Sequence, residues 1–262
     1  MKPFLTANWI NLINITYAVP PEPLLPYLPK GVELDTVSGK AFVSVVPFDF
    51  TDTRLNGVKV PFHVKFPEIN LRFYVKQGNK RGVIFLKEFI PKFLIKTIAN
   101  TFYYERYEVV GLKSSVLKNE NEISVKHCLT KGGKDFYIEV CAENDPFVPS
   151  AGSREYFFEE RFYGFSKNKK GDPLQFRVEH PSWKLYPVKH YRIDFDFGFL
   201  FGGKWKFLND ELPVCIMLLD GSPVKMFPHK KLSLDVIHLP HHEHVPRVGL
   251  APHLAARIYP VS

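Results

Sequence analysis

The stretch at residues 66–90 reads FPEINLRFYVKQGNKRGVIFLKEFI and predicts a β-hairpin. From Glu68 to Lys76 apolar and polar side chains alternate, so that one face of the strand carries Ile69, Leu71, Phe73 and Val75. Residues 77–80, Gln-Gly-Asn-Lys, form a turn signal, and residues 81–90 supply the returning strand. This hairpin sets the strand-rich pattern that the rest of the chain repeats.

Further short strands are predicted on both sides of the hairpin, separated by Gly and Pro turns. They lie at residues 11–19, 40–50, 174–179, 184–197, 214–219 and 224–227, with a second hairpin at 123–143. Pro47 is expected to interrupt the strand at 40–50. Helices are predicted from Pro91 to about residue 102 and over residues 154–163. Many short strands with few helices predict a mainly β (α+β) domain built as a closed or nearly closed antiparallel sheet.

Composition excludes several classes of protein. The 262 residues are 45% hydrophobic with a net charge of +8, and the longest apolar run, residues 214–219, is far too short to span a membrane. Asparagines interrupt any apolar segment of a signal peptide, and three cysteines fit reduced thiols, so a soluble cytoplasmic protein is expected. Two lysine-rich stretches lack any nucleic-acid-binding motif, so we expect solvated lysines and no nucleic-acid partner.

The polar face of the first hairpin strand carries Glu68, Asn70 and Arg72 side by side. If that face lines the inside of a barrel, a carboxylate and a guanidinium would anchor a ligand there, because buried charges require partners. If it faces water, it is only the polar side of an amphipathic strand. The alternation taken alone favours the second interpretation.

A second polar group is spread over residues 159–183 and includes Arg161, His180 and Trp183. His180 has the side chain of a general acid or base near neutral pH, but the pattern favours a buried histidine at a strand end before Pro181. No nucleophile elbow, phosphate loop or dinucleotide motif occurs, so no catalytic residue and no cofactor are assigned.

The C-terminal segment changes character after Pro228 and becomes rich in His and Pro. Its five histidines, His238, His241, His242, His244 and His253, lack the paired spacing of a structural zinc site, and we predict no metal there. We therefore expect a single domain over residues 1–231 and a tail over residues 232–262.

Several motifs together carry a family resemblance. In order along the chain they are Trp9, Ile15-Thr16-Tyr17, residues 45–48 (VVPF), residues 66–75, Glu160-Arg161-Phe162 and His180-Pro181-x-Trp183. This order resembles the YqjF-like bacterial family of the acetoacetate decarboxylase-like superfamily, over about Trp9 to Pro228. The resemblance implies a cone-like antiparallel β-barrel with a few short helices and a central cavity, in which Glu68 matches a cavity glutamate.

Two departures from acetoacetate decarboxylase bear on function. Where that enzyme has the lysine pair of its Schiff-base mechanism, residues 102–106 read FYYER; where it has a carboxylate-binding arginine, Ala18 stands here. The resemblance thus implies a barrel that binds a small, partly apolar organic ligand without that lysine. The candidate ligand-binding residues are Glu68, Asn70, Arg72, Tyr104, Arg161, His180 and Trp183. A decarboxylase with a relocated lysine, or a structural barrel filled with side chains, remain the alternatives.

Overall fold

Strands form most of the chain in the computed structural model, which describes residues 1–59, 61, 64–91, 107–168 and 170–232. The strands are β1 (Leu5–Ile10), β2 (Leu12–Val19), β3 (Glu33–Leu34), β4 (Ala41–Leu55), β5 (Val58–Lys59), β6 (Phe66–Gln77), β7 (Lys80–Ile90), β8 (Tyr107–Val109), β9 (Gly111–Lys118), β10 (Glu122–Lys131), β11 (Lys134–Glu143), β12 (Tyr163–Lys167), β13 (Pro173–Glu179), β14 (Leu185–Tyr186), β15 (Val188–Asp194), β16 (Cys215–Leu219), β17 (Ser222–Met226) and β18 (Lys230–Lys231). Helices in the described residues are short: α1 (Arg154–Glu159), α2 (Phe197–Phe201), and 3₁₀ helices at Leu25–Tyr27 and Gly203–Asn209. The mainly β prediction is confirmed.

Seven of these strands close into a barrel. Pairing runs from β4 through β1, β17, β13, β12, β7 and β6, and β6 pairs again with β4. Every step is antiparallel except the one between β7 and β12. The predicted closed, mainly antiparallel sheet is therefore confirmed, with one parallel pairing at its closure.

The parallel closure depends on a glycine. Gly82 of β7 lies opposite Tyr163 of β12, and a Cβ atom at this position would come within 2.2 Å of the Tyr163 carbonyl oxygen. A side chain would therefore push the two strands apart where the barrel closes. Gly82 thus has a structural role at this point.

A second sheet of four antiparallel strands, in the order β15, β11, β10, β9, packs on the barrel. The hairpin predicted over residues 123–143 is the central pair of this sheet, β10 and β11. Its two-residue turn, Gly132-Gly133, has φ values of 59° and 74°, which suit glycine. The apolar face of β6, including Ile69 and Leu71, joins one hydrophobic core with Val125 and Ile138 of this sheet. Because the second sheet covers that face, the polar face of β6 points into the barrel.

The expected interruption at Pro47 is wrong, since β4 continues without a break from Ala41 to Leu55. On one side, β4 pairs with β6 throughout this region, and Pro47 lies opposite Ile69. On its other side, β2 pairs with residues 41–45 and β1 resumes at Asp49. Pro47 thus falls in the gap between β2 and β1, where its missing N–H costs no ladder hydrogen bond.

Two of the remaining predictions concern residues outside the described part of the chain, and one predicted helix is shorter in the structure. The helix expected from Pro91 and most of the His- and Pro-rich tail lie outside the described residues. The helix expected over residues 154–163 is α1 alone and ends at Glu159, because the chain must extend again to enter β12. All three cysteines are free thiols.

Candidate ligand-binding cavity

A cavity of about 60 Å³ lies inside the barrel. Each of the seven barrel strands contributes side chains to its wall, which is mainly apolar and aromatic. The aromatic part of the wall includes Trp9, Phe48, Phe50, Phe66, Phe85, Tyr107, Phe176 and Trp183. A cavity of this size has space for a few water molecules or one small organic molecule.

The polar side of the wall begins on β6. Glu68 and Asn70 are 6% and 2% exposed, and they line the cavity together with Arg72. The Asn70 side-chain amide donates a hydrogen bond of 3.1 Å to Glu68 Oε1. The interpretation that this face meets water is therefore wrong: the covering sheet turns the three side chains inward.

Glu68 and Arg72 do not form an ion pair with each other. Side chains four residues apart on a strand are separated by about 13 Å of backbone. Asn70 bridges only to Glu68, and the buried Nε of Arg72 has no hydrogen-bond partner. Arg72 thus offers an N–H group inside the barrel that no described protein group binds.

Arg161 also lines the cavity, but most of its guanidinium is held by the protein. It pairs through Nη1 with Asp35 and donates from Nη2 to the carbonyl of Phe157 at 2.6 Å. Asp35 accepts a second hydrogen bond from Arg81 at 2.9 Å. Burial lowers the pKa of Arg161 to about 10, so it remains charged at neutral pH. These contacts make Arg161 a structural part of the wall, with only its Nε unpartnered.

His180 and Trp183 form one stacked unit at the cavity. Their rings are 4.0 Å apart and nearly parallel, and Trp183 Nε1 donates to Ser222 Oγ at 2.7 Å. Burial lowers the pKa of His180, which favours the neutral imidazole. Its Nδ1 lies 2.9 Å from the Pro181 carbonyl and donates to it, so Nε2 is left as the acceptor of the neutral ring.

Glu159 is a cavity residue that the sequence analysis did not select. It ends α1, and the N-cap of that helix is Ser153, whose hydroxyl accepts the Tyr156 N–H at 3.1 Å. Glu159 is only 2% exposed; its Oε1 accepts the Trp183 N–H at 2.8 Å, and its buried Oε2 has no hydrogen-bond partner. Burial raises the pKa of Glu159 to about 7. A carboxyl group in this setting exchanges its proton near neutral pH.

Five buried polar atoms of cavity residues lack a hydrogen-bond partner in the described protein: Trp9 Nε1, Asn70 Oδ1, Arg72 Nε, Glu159 Oε2 and Arg161 Nε. Buried polar atoms are normally paired, and exceptions call for an explanation such as a bound molecule. Three of the five are donors, one is an acceptor, and the carboxyl oxygen can be either.

Six of the seven predicted site residues line this one cavity: Glu68, Asn70, Arg72, Arg161, His180 and Trp183. Tyr104 lies outside the described residues. Sequence reasoning missed Trp9, Glu88, Tyr107 and Glu159. The neighbourhood of Glu159 was visible in the charged segment at residues 159–161, but alternation alone could not show that α1 delivers it into the barrel.

None of the described residues that line the cavity is a lysine. Within the described chain, burial lowers a lysine pKa only at Lys87, which lies on the opposite side of the barrel wall. Lys87 Nζ donates to the Leu200 carbonyl at 2.7 Å and pairs with Glu108 at 2.5 Å, and Glu108 also pairs with Lys131. Its amine is thus occupied by protein groups and directed away from the lumen.

Two further features are absent from the described part of the chain. No three His, Cys, Asp or Glu side chains there gather as ligands for a metal ion. No helix in that part of the chain has the length and apolar character needed to cross a membrane.

Sequence comparison gives two matches. Residues 6–217 match the model of the DUF2071 family, whose description is "Uncharacterized conserved protein". The chain is 30% identical over 184 residues to the uncharacterised protein YqjF of Bacillus subtilis (strain 168), a stretch that covers 68% of this chain and 73% of that protein.

Structure comparison finds the same fold in distant proteins. An acetoacetate decarboxylase-like enzyme from Sphingomonas wittichii RW1 aligns with a TM-score of 0.59 at 10% identity, over 88% of this chain and 94% of that one. The enduracididine biosynthesis enzyme MppR, complexed with pyruvate, aligns with a TM-score of 0.57 at 10% identity over 89% and 91%. Acetoacetate decarboxylase from Legionella pneumophila gives 0.55 at 13% identity over 87% of both chains. At these identities the likeness concerns the fold.

Proposed function

We propose that this chain, which belongs to the DUF2071 family, binds a small, partly apolar organic ligand in its barrel cavity. The observation that supports this proposal best is the set of five buried, unpartnered polar atoms around one cavity. An unsatisfied buried group costs about 1–3 kcal/mol, so five of them together favour a site that receives a polar molecule. A core filled only for stability has no need of such groups.

The cavity wall defines the ligand. Aromatic and aliphatic side chains together form most of the wall and favour an apolar portion of the ligand, while Trp9 Nε1 and Arg72 Nε favour hydrogen-bond acceptors on the same molecule. The volume of about 60 Å³ restricts it to a few non-hydrogen atoms. The same small volume also supports the alternative of a structural barrel, so binding has to be measured.

The proposed activity does not use a Schiff base. Residues 102–106 carry no lysine, and no described cavity residue is one. A decarboxylase with a relocated lysine would need an uncharged amine inside the barrel. Lys87, the described lysine with a lowered pKa, is held on the other side of the wall.

Location and partners belong to the same proposal. Free thiols at all three cysteines are typical of a reducing compartment, which supports a cytoplasmic protein. The partner proposed is the small ligand alone, with no nucleic acid, no membrane and no cofactor.

Intrinsic tryptophan fluorescence provides the test. Two of the three tryptophans, Trp9 and Trp183, line the cavity, and Trp205→Phe removes the background of the third. We expect a saturable fluorescence change with pyruvate, the molecule bound to MppR, or with acetone as its uncharged counterpart. Arg72→Gln should weaken the binding of pyruvate at least about tenfold, because a charge-assisted hydrogen bond is lost.

The matched control is Arg177→Gln. Arg177 is an exposed arginine of β13 that pairs with Glu179 at 2.7 Å and does not line the cavity. Its replacement should leave binding unchanged. If neither probe gives a saturable change, or if both arginine variants behave alike while melting as the parent does, the barrel is structural and the proposal is wrong.

A further inference from the structure

The carboxyl group of Glu159 has the placement of a reactive group. One oxygen, Oε1, is fixed by the Trp183 backbone N–H at 2.8 Å, and the other, Oε2, is buried without a protein partner. The ring centroid of the preceding residue, Phe158, lies 5.1 Å from that of Phe42 and 5.0 Å from that of Tyr74, so the end of α1 packs against the barrel. The side chain is thus oriented by its Oε1 and lies on the cavity wall.

The charged groups around Glu159 favour its neutral form. Burial has the largest effect on its pKa, and the Trp183 N–H lowers it. The carboxyl group of Glu160 raises it by its charge and by a hydrogen bond between the two side chains, and Asp220 raises it further. Glu160 itself accepts a hydrogen bond of 2.6 Å from Ser182, which keeps it in place beside Glu159. The other titratable and charged groups of the cavity wall are Glu68, Arg72, Glu88, Tyr107, Arg161, Tyr163 and His180.

We propose that Glu159 is a general acid–base residue of the barrel, which gives a proton to a carbon atom of a small bound molecule and takes it back. This rests on the proposed ligand binding and extends it from a binding site to an active site. The substrate class is a small carbonyl compound that interconverts with its enol, and the reaction class is tautomerisation.

The step balances without a further reactant. The O–H bond of the Glu159 carboxyl breaks, and the electron pair of the enol C=C bond forms the new C–H bond. The enol oxygen becomes a carbonyl oxygen as its proton passes to water, and a proton from water restores the carboxyl group. In the reverse direction the Glu159 carboxylate takes a proton from the carbon beside the carbonyl group, and the C–H electron pair forms the C=C bond. The unpartnered N–H groups of Trp9 and Arg72 are the available donors to the carbonyl oxygen, where they stabilise the negative charge that develops on it in this direction.

Diazoacetamide tests this step whatever the natural substrate is. It is a small polar molecule that takes a proton from a carboxyl group onto its diazo carbon, after which the carboxylate oxygen displaces N₂ and leaves an ester. At pH 7 an ordinary exposed carboxyl, with a pKa near 4.3, is protonated in only about one molecule in 500. Glu159, with a pKa of about 7, is protonated in about half.

We expect peptide mass spectrometry to find the ester on Glu159, formed on the order of 100-fold faster at pH 7 than on any exposed carboxyl. The rate should fall as the pH rises through about 7. Glu159→Gln should abolish the labelling, and Glu120→Gln, at an exposed glutamate, should leave it unchanged. Thermal melts of both variants verify that they are folded.

The outcomes separate this inference from the proposed function. If pyruvate or acetone changes the fluorescence but Glu159 is not esterified, the cavity binds without acid–base reactivity and the inference is overturned. If Glu159 is esterified but neither probe binds, Glu159 holds a reactive proton, but the proposed ligand binding and the carbonyl substrate class that depends on it are both wrong. Labelling spread evenly over exposed carboxyls also contradicts the inference.

Discussion

At Glu159, burial and two neighbouring carboxyl groups act in the same direction. They raise its pKa from an ordinary 4.5 to about 7, so the folded protein holds a proton that the unfolded chain releases above pH 4.5. The contribution to stability is therefore fully present below about pH 4.5, falls between pH 4.5 and about 7, and is lost above that range. Two and a half pKa units correspond to about 3 kcal/mol.

Replacing Glu159 by Gln should remove this dependence on pH. We expect the free energy of unfolding of Glu159→Gln, relative to the parent, to improve by up to about 3 kcal/mol between pH 4.5 and pH 8. Urea titrations at both pH values measure it, with Glu120→Gln as the exposed control. An identical pH dependence in parent and Glu159→Gln would show that this carboxyl has an ordinary pKa.

At the scale of elements, β6 shows what the sequence could and could not predict. The alternation of apolar and polar residues predicted which side chains share each face of β6, and the turn signal at residues 77–80 predicted its hairpin with β7. Both patterns are local properties of the sequence. Which face points inward depends on the second sheet, whose strands lie more than 30 residues further along the chain. The continuity of β4 through Pro47 could not be predicted either, because it depends on where the pairing of β4 with β2 ends and its pairing with β1 begins.

A buried ion pair between Asp35 and Arg161 holds the segment between α1 and β12 in place. Asp35, which follows β3, holds both Arg161 and Arg81, and these arginines keep its pKa below the ordinary value although burial alone would raise it. Asp35→Asn should cost about 3–5 kcal/mol of unfolding free energy at pH 7, because Arg161 stays buried without its counter-charge. The difference should shrink as the pH falls below about 3.8 and the parent carboxyl takes up its proton.

The control for Asp35→Asn is Asp52→Asn. Asp52 pairs with Lys59 at 2.7 Å, but both side chains are about half exposed, so this replacement should cost under about 1 kcal/mol. Denaturant unfolding curves of both variants compare the two losses. Equal, small losses would mean that the Asp35 ion pair does not stabilise the fold.

At the scale of the whole molecule, the order of motifs along the chain predicted the family and the barrel, both of which are confirmed. Six of the predicted side chains line one cavity, because residues from separate motifs face the same lumen once the barrel closes. The chemistry inside could not be predicted in the same way. A burial-driven pKa such as that of Glu159 arises from the assembled barrel and has no signature in a short motif.

Barrels of this fold need not share one reaction, and formation of a Schiff base can be tested directly. We expect that incubation with pyruvate or acetoacetate followed by borohydride leaves the intact mass of this protein unchanged. A Schiff base requires an uncharged lysine at the ligand, ordinary lysines have a pKa near 10.4, and the described cavity wall carries none. Incubation with borohydride alone provides the background. A stoichiometric adduct that maps to one lysine, and disappears when that lysine is replaced by Arg, would establish a relocated Schiff-base residue and contradict the acid–base assignment to Glu159.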